Sequence, residues 1–71
     1  MCIGYRFVIR DGGYVEALGG MPLDDDAEAL AFGGDIIRDL MADAAARYAA
    51  YTMDISRGGH TVASLRFDTA T

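Results

Sequence analysis

Apolar and polar residues alternate from the start of the chain. Ile3, Tyr5, Phe7 and Ile9 fall on one face, and Arg6, Val8 and Arg10 on the other. A period of two with one apolar face predicts a half-buried strand. Asp11-Gly12-Gly13 comes next, and Asp-Gly is a hairpin signal because both residues tolerate positive φ. Tyr14 to Leu18 reads as the return strand, with Gly19-Gly20 expected to end it. Pro22 and Asp24-Asp25-Asp26 then mark a change of structure. From Ala27 to Tyr48 the period lengthens: Ala27, Leu30, Ala31, Gly34, Ile37, Leu40, Met41, Ala44 and Tyr48 form one stripe at helical spacing. Asp25 and Glu28 have the spacing of a capping box at its start. Asp35, Asp39 and Asp43 line the opposite side, with Asp35–Arg38 and Asp43–Arg47 as expected surface pairs. Gly33-Gly34 interrupts this helix. Each glycine costs about 0.5–1 kcal/mol relative to alanine, so either the helix bends there or the sheet comes too close for side chains.

Alternation returns at Tyr51-Thr52-Met53-Asp54-Ile55-Ser56, with Tyr51, Met53 and Ile55 inward. Arg57-Gly58-Gly59-His60 makes a second turn, and Thr61 to Phe67 closes the chain as a fourth strand. The order is ββαββ. The economical solution is an α+β domain: a four-stranded antiparallel sheet with one helix packed on one face. Residues 1–71 are expected to form that single domain, with residues 1–2 and 68–71 as fraying termini. One helix covers one face, so the other is expected to carry Arg6, Val8, Arg10, Thr52, Asp54, Val62, Ser64 and Arg66. A solvated polar surface is the ordinary reading of that mixture. The sharper one is a pairing surface, with Val8 and Val62 as an apolar centre inside a rim of Arg6, Arg10 and Arg66. Edge strands offer a second route to self-association, through extension of the sheet.

Size and composition narrow the function classes. A chain of 71 residues has room for one core, near the lower limit at which a core alone suffices. Cys2 is the only cysteine and His60 the only histidine, which excludes an internal disulfide and argues against a zinc site. Idealised packing or self-association is left as the source of stability. The net charge of −5, with arginines scattered and no lysine, argues against nucleic acid, whose binders show a basic face. No apolar run reaches the roughly 20 residues of a membrane span. The opening residues lack the apolar region of a signal peptide, so a cytoplasmic home is expected.

Candidate chemistry is sparse. Asp24, Asp25, Asp26 and Glu28 have the carboxylates of a hard-cation site without the spacing of a calcium loop, and helix capping accounts for them. The Gly-Gly pairs lack the lysine of a phosphate loop and the spacing of a dinucleotide fingerprint. His60 is of the residue type most used for general acid–base work, with Ser56, Ser64 and Asp54 nearby in sequence, but no nucleophile motif surrounds it. Tyr5, Tyr14, Tyr48 and Tyr51 suggest base stacking only until Tyr5 is assigned to the core face. No catalytic residue, cofactor or metal ligand is assigned.

Three stretches carry a resemblance. They are Tyr5-Arg6-Phe7-Val8-Ile9-Arg10-Asp11-Gly12-Gly13, Leu23-Asp24-Asp25-Asp26-Ala27-Glu28-Ala29, and Met53-Asp54-Ile55-Ser56 running through Val62 to Phe67. In that order the chain resembles domain-of-unknown-function family 6894, small proteins of alphaproteobacteria. The resemblance implies an aromatic-rich first strand, an acidic helix entry, an alanine-rich helix and a closing hairpin, and brings no catalytic residue, cofactor or partner. The turn Arg57-Gly58-Gly59-His60 departs from the acidic turn expected there. A second similarity, through Asp11-Gly12-Gly13-Tyr14-Val15-Glu16-Ala17 and Glu28-Ala29-Leu30, is to HicB-like antitoxin domains, and implies a small domain that pairs with a partner protein. The function expected is a non-enzymatic binding or regulatory module, homodimeric or bound to a protein partner. The alternatives are a HicB-like antitoxin and a small enzyme or ligand-binder using His60.

Overall fold

The computed structural model describes residues 3–67, so the expected fraying of residues 1–2 and 68–71 lies outside the described residues. Strand β1 (Ile3–Asp11) pairs antiparallel with β2 (Tyr14–Leu23) on one side and with β3 (Thr52–Arg57) on the other, and β3 pairs with β4 (His60–Arg66). Helix α1 (Asp26–Tyr48) joins the two hairpins, and the strand order is β2-β1-β3-β4. The α+β class, the ββαββ order and the antiparallel sheet are those expected from the pattern.

Three local expectations are corrected. Strand β2 does not end at Gly19-Gly20; it runs through Pro22 to Leu23. Pro22 fits a strand at the edge of the sheet, where alternate N–H groups point away from the ladder and proline is tolerated. The glycines accompany a bulge: Phe7 faces Gly19 and Val8 faces Ala17, which leaves Leu18 as the extra residue. Second, the buried stripe of the first half of α1 is turned by about one residue. Ala29 and Gly33 face the core where Leu30 and Gly34 were expected, and Leu30 is exposed. From Ile37 onward the stripe is as read, with Leu40, Met41 and Tyr48 against the core. Third, Val62 does not lie on the uncovered face. A bulge between Ile55 and Ser56 in the β3–β4 ladder places it opposite no partner, and its side chain packs against the core.

The core lies between the helix and the central strands. Tyr5, Phe7 and Ile9 of β1 meet Met53 and Ile55 of β3, with Leu23, Ala29, Ile37, Tyr51 and Phe67 closing its ends. Gly33 shows why a glycine sits in mid-helix. A Cβ there would lie 2.8 Å from Ile55 Cδ1 and 3.1 Å from Met53 Sδ, so α1 rests directly on β3. Gly34, one residue on, has open space around it. Of the two readings of the glycine pair, close approach of the sheet holds at Gly33. The helix departs from helical geometry further along, at Ala44 (φ −150°, ψ 62°).

Its start is fixed by Asp25, whose side chain accepts a 2.8 Å hydrogen bond from the Glu28 N–H. After the break, Tyr48 packs against Tyr51 with ring centroids 5.1 Å apart and stacks on Phe67 at 5.9 Å. Arg47 turns to the Tyr48 ring, 5.3 Å from its centroid, rather than to Asp43. At the second hairpin Gly58 (φ 53°) and Gly59 (φ 83°) occupy the left-handed region that a two-residue turn requires. No helix among the described residues is long and apolar enough to cross a membrane.

Candidate interaction face

Cross-strand partners share a face of a sheet, so the registers define the face that α1 leaves uncovered. One row is Val15, Arg10, Thr52 and Arg66; the next is Ala17, Val8, Asp54 and Ser64; the third begins Gly20, Arg6 and Ser56 and ends at Thr61. Of the expected interaction residues, Arg6, Val8, Arg10 and Arg66 therefore do share one surface. Val62 is absent from it, for the reason given above.

Asp54 lies near the middle of this face. It accepts from Arg10 Nε at 2.7 Å on β1 and from Ser64 Oγ at 2.8 Å on β4, so one carboxylate ties three strands together. Partial burial pushes its pKa up, but the two donated hydrogen bonds and the guanidinium charge outweigh that and hold it below the ordinary carboxylate range. Arg6 is different. It is exposed, and its side chain has no ion pair or hydrogen bond among the described residues. It borders a shallow groove of about 850 Å³ whose walls include Gly4, Gly20, Pro22, Ser56 and Gly58.

Charge is segregated across the domain. Among the described residues, the uncovered face holds Arg6, Arg10 and Arg66 against the single acid Asp54. Helix α1 holds Asp26, Glu28, Asp35, Asp39 and Asp43 against Arg38 and Arg47. Arg38 is spent on Asp35, at 3.0 Å, as the spacing foretold.

The acidic run before the helix has structural work. Asp25 is the cap, and Asp26 joins helix to sheet: Tyr5 donates its hydroxyl to Asp26 Oδ1 at 2.6 Å, and Arg57 Nε donates to the same oxygen at 3.0 Å. These donors, Tyr5 before Arg57, lower the Asp26 pKa against the opposing effect of burial. Burial, the hydrogen bond to Asp26 and the negative charge beside it push the Tyr5 phenol up to about 12. This three-residue clasp was not anticipated. Its members are 21 and 31 residues apart, and the only hint was an arginine in a turn where an acid was expected.

The residues considered for acid–base work are not brought together. Ser64 and Asp54 bond to each other on the uncovered face. His60 stands apart from them, opposite Arg57 in the β3–β4 register, and the Arg57 side chain reaches across to the helix start. Among the described residues no group of three His, Cys, Asp or Glu side chains is arranged to hold a metal ion. Tyr14 donates to Glu16 at 2.9 Å and meets Tyr51 edge-on at 6.4 Å, while Tyr5 lies in the core. The tyrosines thus form no open stacking platform.

No curated protein and no solved structure matches this chain. A family profile does match, over residues 4–68, which takes in every strand and the helix except the first residue of β1. The chain belongs to the family described as Domain of unknown function (DUF6894).

Proposed function

We propose that this chain is a small, non-enzymatic binding module of the cytoplasm that works by self-association. The observation that carries the reading is the uncovered sheet face, which among the described residues presents three arginines and one acid on a chain of net charge −5. Such a face is suited to holding an acidic protein surface by charge complementarity, which fixes register and partner choice. A single core in 71 residues also gains stability when copies bury surface together. A cytoplasmic setting suits a chain whose one cysteine, Cys2, can close no internal disulfide. Molar mass in solution, by light scattering on a size-exclusion column over a dilution series, tests the reading. Species larger than the monomer at tens of micromolar are expected. A monomer at every concentration would overturn self-association and turn the search to a different protein.

A further inference from the structure

We propose that the uncovered sheet face receives the outer face of helix α1 of a second copy, so that copies stack helix on sheet, head to tail. This deepens the self-association proposed above and rests on it. The charges complement: Arg6 on the sheet lacks a partner among the described residues, and so do Asp39 and Asp43 on the outer side of α1. Asp39 and Asp43 lie one turn apart on α1, about 6 Å, so both carboxylates can face the one Arg6 guanidinium.

The two surfaces are also both shallow. The exposed side of α1 carries Ala31, Ala42, Ala45 and Ala46, where long polar side chains are usual on a solvated helix. The sheet face offers Val8 and Ala17 between Gly20 and Ser64. Small side chains on both sides let a helix approach a sheet closely, and a helix on the second face completes a three-layer arrangement.

The geometry fixes the kind of assembly. Helix and uncovered face lie on opposite sides of one sheet, so two copies cannot satisfy both surfaces of each other at once. The contact is heterologous, and it propagates into a longer stack or a ring. Because charge carries it, added salt weakens it.

The test uses the whole chain. Wild-type protein at low salt is expected to exceed the mass of a dimer as concentration rises, and to fall back in 0.5–1 M salt, where screening shortens to roughly 3–4 Å. The variants are Arg6→Asp and the double substitution Asp39→Arg/Asp43→Arg, all at exposed positions, with circular dichroism confirming the fold. Each variant alone faces like charge at the contact and is expected to associate at least about tenfold more weakly. An equimolar mixture of the two restores opposite charges at every contact, and is expected to regain the large species. A mass that plateaus at the dimer, or variants that associate as well as wild type, would overturn the stack while leaving self-association intact. The exposed edge β2, with Leu18 and Met21, would then be the contact. A wild-type protein that stays monomeric would overturn both.

Discussion

On the helix side of the sheet, Phe7, Ile9, Met53 and Ile55 are sealed from water beneath α1. One residue along the same strands, on the other side, Arg6, Val8, Arg10 and Asp54 stand in the open or half-open. The first face is held by apolar burial and by a glycine that lets the helix down onto β3. The second is held by a carboxylate shared among three strands. Burial is non-directional and accrues with area, whereas the Arg10–Asp54–Ser64 bridge is directional, exposed and screened. The contrast teaches that the covered face decides whether the chain folds, and leaves the other free to present charge.

The widest separation between the faces is expected from adjacent truncations in β1. Phe7→Ala removes a ring that is 2% exposed and in edge contact with Phe32 at 5.3 Å, and should cost about 3–5 kcal/mol in denaturant unfolding. Val8→Ala, one residue away on the other face, should cost under about 1 kcal/mol. Near-equal losses would mean that the uncovered face is itself packed in solution. The neighbouring glycines make the next comparison. Gly33→Leu would drive its side chain into Ile55 and Met53 and should cost about 1–3 kcal/mol or more. Gly34→Ala meets nothing within 4 Å and should stabilise the fold by about 0.5–1 kcal/mol, through helix propensity alone.

Much of this division was legible in the sequence. The alternation of Tyr5, Phe7 and Ile9 against Arg6, Val8 and Arg10 placed each β1 side chain on its correct face. Where the pattern failed, a local irregularity was at work. Two bulges, at Leu18 and Val62, each add a residue to a ladder, and a period of two cannot register an insertion. Pro22 and the preceding glycines read as punctuation because sequence does not show which strand will be an edge. In the helix, alanines and glycines populate both sides, so the stripe's phase was set by weak signals until Ile37. The Asp26 clasp was hidden for another reason: it joins distant charges, and no periodicity encodes a pairing. On the candidate face, the arginines were found and the partner of Arg10 was not.

Smaller effects lie in the pH dependence, and these again differ between the faces. Asp26 beneath the helix start and Asp54 on the uncovered face both have folded pKa values below the ordinary one. A lowered carboxyl pKa gives stability that is complete above the unfolded value, near 4, and is lost as pH falls through the folded value. Acid titration of stability should therefore show losses only below about pH 4, reduced in Asp54→Asn and in Asp26→Asn. The Tyr5 phenol runs the other way. Raised to about 12, it favours the fold below its unfolded pKa of about 10 and loses that contribution as pH climbs between the two. Tyr5→Phe should flatten this alkaline arm while leaving the behaviour of Asp54 unchanged. If the alkaline arm persists in Tyr5→Phe, the clasp is not its source.

The departure of Ala44 from helical geometry divides α1 into unequal lengths of backbone. The longer one is anchored along the sheet by Ala29, Gly33 and Ile37. The shorter is retained by rings: Tyr48 against Tyr51 and Phe67, with Tyr51 N–H bonded to Tyr48 O at 2.9 Å. In hydrogen–deuterium exchange, amides of the longer length should wait for global opening. Those after Ala44 should exchange sooner, each time the aromatic cluster loosens. The end of the helix is thus expected to open as a unit of its own, at a rate governed by the rings of Tyr51 and Phe67 from beyond the helix.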